Sequence, residues 1–115
     1  MEYETLLVEK EANTALIKLN RPPVREVRIP APAENARQSY KKFTLREPVD
    51  FALVSVASVL TFNDGVCKDA RIVLGAVAPE PVRARSAEKI LKGRTIDEAR
   101  ALEAAKEALA SANFL

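Results

Sequence analysis

The chain has 115 residues, enough for one small domain with a single core and too few for that domain plus a separate cofactor-binding domain. Its 18 basic and 16 acidic residues nearly cancel, and no basic stripe interleaved with aromatics occurs, which argues against nucleic-acid binding. No apolar run reaches a membrane span and no basic-then-apolar leader opens the chain, so a cytoplasmic protein that stays off membranes is expected.

In chain order, residues 5–10 and 15–20 are two short β-rich runs, and Asn13 between them is suited to the left-handed conformation a tight turn needs. They predict a hairpin. Pro22 and Pro23 remove two amide donors and stop the second strand, after which Val24, Val27 and Ile29 suggest a further short extended piece. Residues 31–36 read as a loop. Residues 37–43 predict an amphipathic strand, closed by a break at Glu47 and Pro48.

The longest signal is "DFALVSVASVLTF", residues 50–62, which is apolar on both parities of a strand. Such a strand belongs at the centre of a sheet, and at about 3.3 Å per residue it would span roughly 40 Å. Asn63-Asp64-Gly65 is a hairpin turn, because Asp-Gly accepts the positive φ values such turns require. The partner strand is expected over 66–77, with Cys67 as a small half-buried thiol on it. Pro79 and Pro81 end it.

A short helix is predicted over 86–92, ended by Gly93 as its left-handed C-terminal residue. Thr95-Ile96-Asp97-Glu98 has the form of a capping box and opens a helix running to about residue 112. Ile96, Ala99, Leu102, Ala105 and Leu109 make its apolar stripe, with Arg100, Glu103, Lys106 and Glu107 outside. Strands first and helices last predict an α+β fold, an antiparallel sheet packed against C-terminal helices.

Chemically, the sequence excludes more than it offers. It has no histidine, so Ser-His-Asp and Cys-His catalysis, HExxH zinc chemistry and imidazole proton shuttling are unavailable. A lone cysteine allows no internal disulfide and no Cys-based metal spacing, and no metal ligands are expected. Gly65, Gly75 and Gly93 form neither a G-x-G-x-x-G nor a Walker loop. Asp50, Asp64, Asp69 and the helical glutamates fall where turns and solvated faces carry charge. Tyr40 beside Lys41 and Lys42 has the composition of an acid–base pair but equally that of an exposed strand, and Ser55 and Ser58 have no base nearby in sequence. No catalytic residue is assigned.

Two blocks, "YKKFTLREPVDFALVSVASVL" and "GVCKDARIVLGAVAPEPVRARSAEKILKG", resemble in order and spacing the C-terminal domain of the flavoprotein (medium) subunit of molybdenum hydroxylases. This group contains carbon monoxide dehydrogenase, xanthine dehydrogenase and 4-hydroxybenzoyl-CoA reductase, and the resemblance spans residues 27–109. It implies a small antiparallel sheet backed by three helices, closing over an FAD held by two preceding domains with glycine-rich loops. These 115 residues carry no counterpart of those two domains, and the family's last helix lies beyond "SANFL". Lys42 aligns with a lysine that reaches the flavin in some members, and is carried over as the cofactor-binding residue by resemblance only. Arg46 and Asp50 fall in the same flavin-facing loop region. FAD is the cofactor of the family context, and no cofactor is expected for this chain alone.

Residues 3–24, "YETLLVEKEANTALIKLNRPPV", instead resemble the opening β-hairpin of the enoyl-CoA hydratase (crotonase) family. That family's oxyanion-hole amides and catalytic carboxylates lie on later segments, so the resemblance implies scaffold and no thioester chemistry. The chain thus reads as a crotonase-like hairpin over 1–24 joined to a flavoprotein-like domain over 25–115 that lacks the last helix. Three roles follow: a structural, oligomerising domain, expected as a homodimer without activity alone; an accessory part of a FAD-dependent oxidoreductase, with hydroxylase subunits as partners; or an interaction module in CoA-related metabolism.

Overall fold

The computed structural model describes residues 6–12, 14–19, 25–46, 50–110 and 112. The chain divides into two compact units, Met1–Ala33 and Glu34–Leu115. The first is a three-stranded antiparallel sheet of β1 (Leu6–Glu11), β2 (Thr14–Leu19) and β3 (Arg25–Pro30), in that order. Leu6 pairs with Leu19 and Glu11 with Thr14, and β2 continues into β3 with Ile17 opposite Val27. Ala12, with φ of 45°, takes a left-handed position in the β1–β2 turn. Asn13, expected in that conformation, and Pro22 and Pro23 lie outside the described residues. Because β3 is hydrogen-bonded to β2, the compact unit runs past Val24 to Ala33.

The second unit is the expected antiparallel sheet with C-terminal helices. Its strands are β4 (Ala36–Phe43), β5 (Val54–Asn63), β6 (Val66–Gly75) and β7 (Val82–Arg83) in spatial order, and β8 (Arg94–Thr95) pairs with β6. Helix α1 (Arg85–Leu91) lies between β7 and β8, and α2 (Glu98–Ala110) follows β8.

β5 is central, between β4 and β6, but it begins at Val54 and not at residue 50. Asp50 turns the chain, its carboxylate accepting the Phe51 N–H at 2.8 Å, and the ladder closes only where Leu53 N–H donates to Phe43 O at 2.9 Å. Asp64 and Gly65 both have positive φ, 48° and 77°, the pair a tight two-residue hairpin needs. A register shift at Thr61/Phe62 marks a bulge beside that turn. β6 stops at Gly75, two residues short of the expected end, because Ala76 adopts φ of 62° and leaves the extended conformation. Gly75 itself faces the Ser55 hydroxyl so closely that a Cβ there would force that hydroxyl to move.

The core lies between one sheet face and the helices: Cys67, Ala70, Leu74 and Val77 from the β6 region meet Ala84 at the start of α1, Ala87 and Leu91 of α1, and Ala104 and Ala108 of α2. Cys67 is fully buried, not half-buried, and burial first, then the Asp69 charge, pushes its thiol up. Gly93, at φ of 77°, ends α1 as expected and donates its N–H to Cys67 O at 2.7 Å.

Helix α2 differs from expectation at its start and along its face. Thr95 belongs to β8, opposite Val66, and lies two residues ahead of the cap position. Asp97 does so instead, its carboxylate accepting the Arg100 N–H at 2.8 Å. The buried residues are Ala104 and Ala108, while Ala99, Leu102, Ala105 and Leu109 of the expected stripe are exposed and Arg100 is half-buried, donating to Thr95 O. An alanine-rich helix offers little contrast between its faces, and α2 turns Ala104 and Ala108 into the cluster with Ala87 and Leu91 of α1.

Candidate functional site

The β4–β5 connection gathers the three residues singled out in that loop. Lys42 stands on β4 opposite Ser55, and its Nζ donates to the Asp50 carbonyl at 2.6 Å. Arg46 Nε meets the Asp50 carboxylate at 3.4 Å. Lys42, Arg46 and Asp50 therefore form one cluster tied across the base of the loop, with Lys42 and Arg46 exposed and Asp50 half-buried. Tyr40 lies on the same sheet face as Lys42 and Lys41 on the opposite one, and Lys42 is engaged with the Asp50 carbonyl.

Around this cluster the chain exposes apolar side chains that sequence patterning assigns elsewhere. Phe51 is 93% exposed, and Phe43, Leu45, Leu53 and Tyr40 are also exposed. Phe51 and Leu53 follow the alternation of a buried strand, yet both precede β5, which begins at Val54. Asp50, a strand breaker that binds its neighbour's amide, is the signal that separates them from it.

Whether these residues could hold FAD by themselves is testable against their geometry. A dinucleotide needs backbone N–H groups presented by glycines that admit close approach. Gly65 and Gly93 serve turns, and the space a Cβ would take at Gly75 is filled by Ser55. The Lys42 ammonium is already bonded to the Asp50 carbonyl. The described residues thus do not fit a pyrophosphate grip, and they hold no group of three or more His, Cys, Asp or Glu placed for a metal ion.

A second polar cluster is structural. Glu88 of α1, 8% exposed, accepts the Ile72 N–H at 2.9 Å and a bidentate pair from Arg83 at 2.8 and 3.0 Å. Burial alone would raise its carboxyl, but the Arg83 and Ile72 hydrogen bonds and the charges of Arg83 and Arg85 outweigh that and hold it below the usual carboxylate range. This residue, expected on a solvated face, clamps α1 to β6 and β7.

On the helix side of the sheet, an apolar groove of about 480 Å³ runs between α2 and β5. Val54, Val56 and Leu60 form its floor, and Ala101, Ala105 and Leu109 its wall. Ser58 opens onto it, which accounts for that serine without catalysis.

The model of the CO dehydrogenase flavoprotein C-terminal domain matches residues 38–115, from the third residue of β4 onward. The chain belongs to this family. It is 40% identical over 72 residues to the carbon monoxide dehydrogenase medium chain of Afipia carboxidovorans, covering 63% of this chain and 25% of that one. It is 26% identical over 80 residues to a putative xanthine dehydrogenase FAD-binding subunit of Escherichia coli, covering 70% and 27%. Among solved structures, carbon monoxide dehydrogenase from Hydrogenophaga pseudoflava, lacking the Mo-pyranopterin moiety of its molybdenum cofactor, superposes with a TM-score of 0.73 at 31% identity, covering 78% of this chain and 31% of that one. The chain spans about a quarter of the length of the curated relatives it matches. The CO dehydrogenase flavoprotein C-terminal fold is thus present as a sheet with helices on one face, and the matched residues include Lys42, Arg46 and Asp50.

Proposed function

We propose that this chain is a non-catalytic, oligomerising form of the flavoprotein C-terminal domain and works as a homodimer in the cytoplasm. The observation that carries the reading is the apolar groove beside α2, whose wall continues into the exposed Leu102 and Leu109. A contiguous apolar surface of this kind is stabilised by a partner. The N-terminal hairpin, with its crotonase-like residues up to Val24, is scaffold in this reading and brings no CoA chemistry. Light scattering of the purified chain across micromolar dilution should give the mass of a dimer, and a monodisperse monomer would overturn the reading.

A second reading, an accessory part of a FAD-dependent molybdenum hydroxylase with hydroxylase subunits as partners, is favoured by the Lys42, Arg46 and Asp50 cluster and the exposed Phe51 beside it. Here the surface would border a flavin held elsewhere. In the first reading, added FAD keeps its fluorescence and the purified protein is colourless. Quenching that is lost in Lys42→Ala would instead favour the second.

A further inference from the structure

Resting on the reading that the chain self-associates, we infer that the dimer forms by antiparallel, two-fold packing of α2 on α2 of a second copy, with each Leu102 seated against the partner's Leu109. The two leucines are seven residues apart, close to two helical turns, and so share one face. Each is 57% exposed. A two-fold axis running between the two helices, perpendicular to both and level with the point midway between Ala105 and Lys106, sets position 102 of one copy opposite position 109 of the other, so the same contact forms twice, as an isologous interface requires. Ala105, next to the axis, is small enough to let two helix axes approach to about 8–9 Å. Leu109 also lines the groove, so this contact brings the partner's Leu102 to the groove mouth.

Charge placement supports the same axis. Glu103 and Lys106 lie on one flank of the leucine face. In the antiparallel pair, flanks of the same kind oppose each other, and Glu103 of one copy falls opposite Lys106 of the other with an axial offset of about 3 Å. Two complementary pairs therefore close one side of the interface. A parallel two-fold pair would turn each Glu103–Lys106 flank toward the partner's opposite flank and lose this pairing.

The test uses sedimentation or light scattering of the full chain across micromolar dilution, with helicity followed by circular dichroism. The wild type is expected as a dimer. Leu102→Glu with Leu109→Glu should weaken it at least about 100-fold, since four buried leucines are replaced. Glu103→Lys should weaken it about fivefold, and adding Lys106→Glu should restore it. Ala105→Cys, beside the axis, should give a covalent dimer on mild oxidation, a readout that survives if the glutamate variant misfolds. A monomeric wild type would overturn self-association and this interface together. A wild-type dimer that the double glutamate variant leaves intact, or that Ala105→Cys does not cross-link, would overturn this interface alone.

Discussion

The two sides of the helix layer solve the same problem differently. Around α1, every element is pinned: Glu88 satisfies the Ile72 amide and the Arg83 guanidinium, Ala84 N–H donates to Ile72 O at 2.9 Å, and Gly93 N–H returns to Cys67 O. Along α2, the wall is built of alanines, and the leucines nearest the groove point outward from the core. The first side is complete within this chain, whereas the second presents surface. A small domain can thus place most of its polar pinning in one half of its helix layer and leave apolar side chains exposed on the other.

The sharpest way to break that contrast is to make one substitution on both sides. Leu91, 5% exposed on α1, should cost about 3 kcal/mol when changed to alanine, the range for a buried leucine whose cavity only partly collapses. Leu109→Ala on α2 should change the stability of a dilute monomer by less than about 0.5 kcal/mol. Denaturant midpoints of both variants, measured at low and high protein concentration, decide the matter. Equal losses would mean that the two sides are packed alike, and a Leu109→Ala cost that grows with concentration would place that residue in the dimer contact.

Removing the clamp comes next in size. Glu88→Ala leaves the Ile72 N–H and the Arg83 guanidinium without their acceptor, for a loss of about 2–3 kcal/mol. The clamp also has a pH signature. The folded-state pKa of Glu88 lies below its unfolded value, so its contribution is fully present above the ordinary carboxylate range and disappears as pH falls through the folded value. Stability measured between pH 6 and pH 3 should therefore fall less steeply in Glu88→Gln than in the wild type. Parallel slopes would assign the acid sensitivity to other carboxylates, of which Asp69, held low first by its hydrogen bond from Lys92, is the nearest candidate.

What could be read from sequence was what local chemistry decides. The strand at 37–43, the Asp64-Gly65 turn and the Gly93 helix stop each depend on a few adjacent residues, and the structure has them within a residue or two. Phe51 and Leu53 misled because alternation continues through Asp50, and only the side-chain bond from Asp50 to the next amide shows that the ladder has not begun. Glu88 was hidden by its charge, although Ala84, Glu88 and Leu91 have the i, i+4, i+7 spacing of a buried stripe. Its partners, Arg83 and the Ile72 amide, are brought to it by β7 pairing with β6, which no local pattern encodes. The Lys42, Arg46 and Asp50 cluster was partly legible, since resemblance placed all three in one loop, but which atom Lys42 binds depends on the path of the connection.

The start of α2 gives the smallest effect and the finest discrimination between a sequence motif and the structure. Thr95 and Asp97 both have cap chemistry, and Thr95-Ile96-Asp97-Glu98 favours the threonine by pattern. In the structure, strand pairing with Val66 takes Thr95 first, and the helix begins two residues later on the Asp97 carboxylate. Asp97→Ala should therefore cost about 1 kcal/mol, and Thr95→Ala less than half of that. Because α2 is the groove wall, a frayed first turn loosens Ala101 before it reaches Leu109. Amide exchange in Asp97→Ala should then rise at the start of α2 and stay unchanged at Ala108. Equal costs for the two substitutions would restore the capping box and shift the register of the whole helix face.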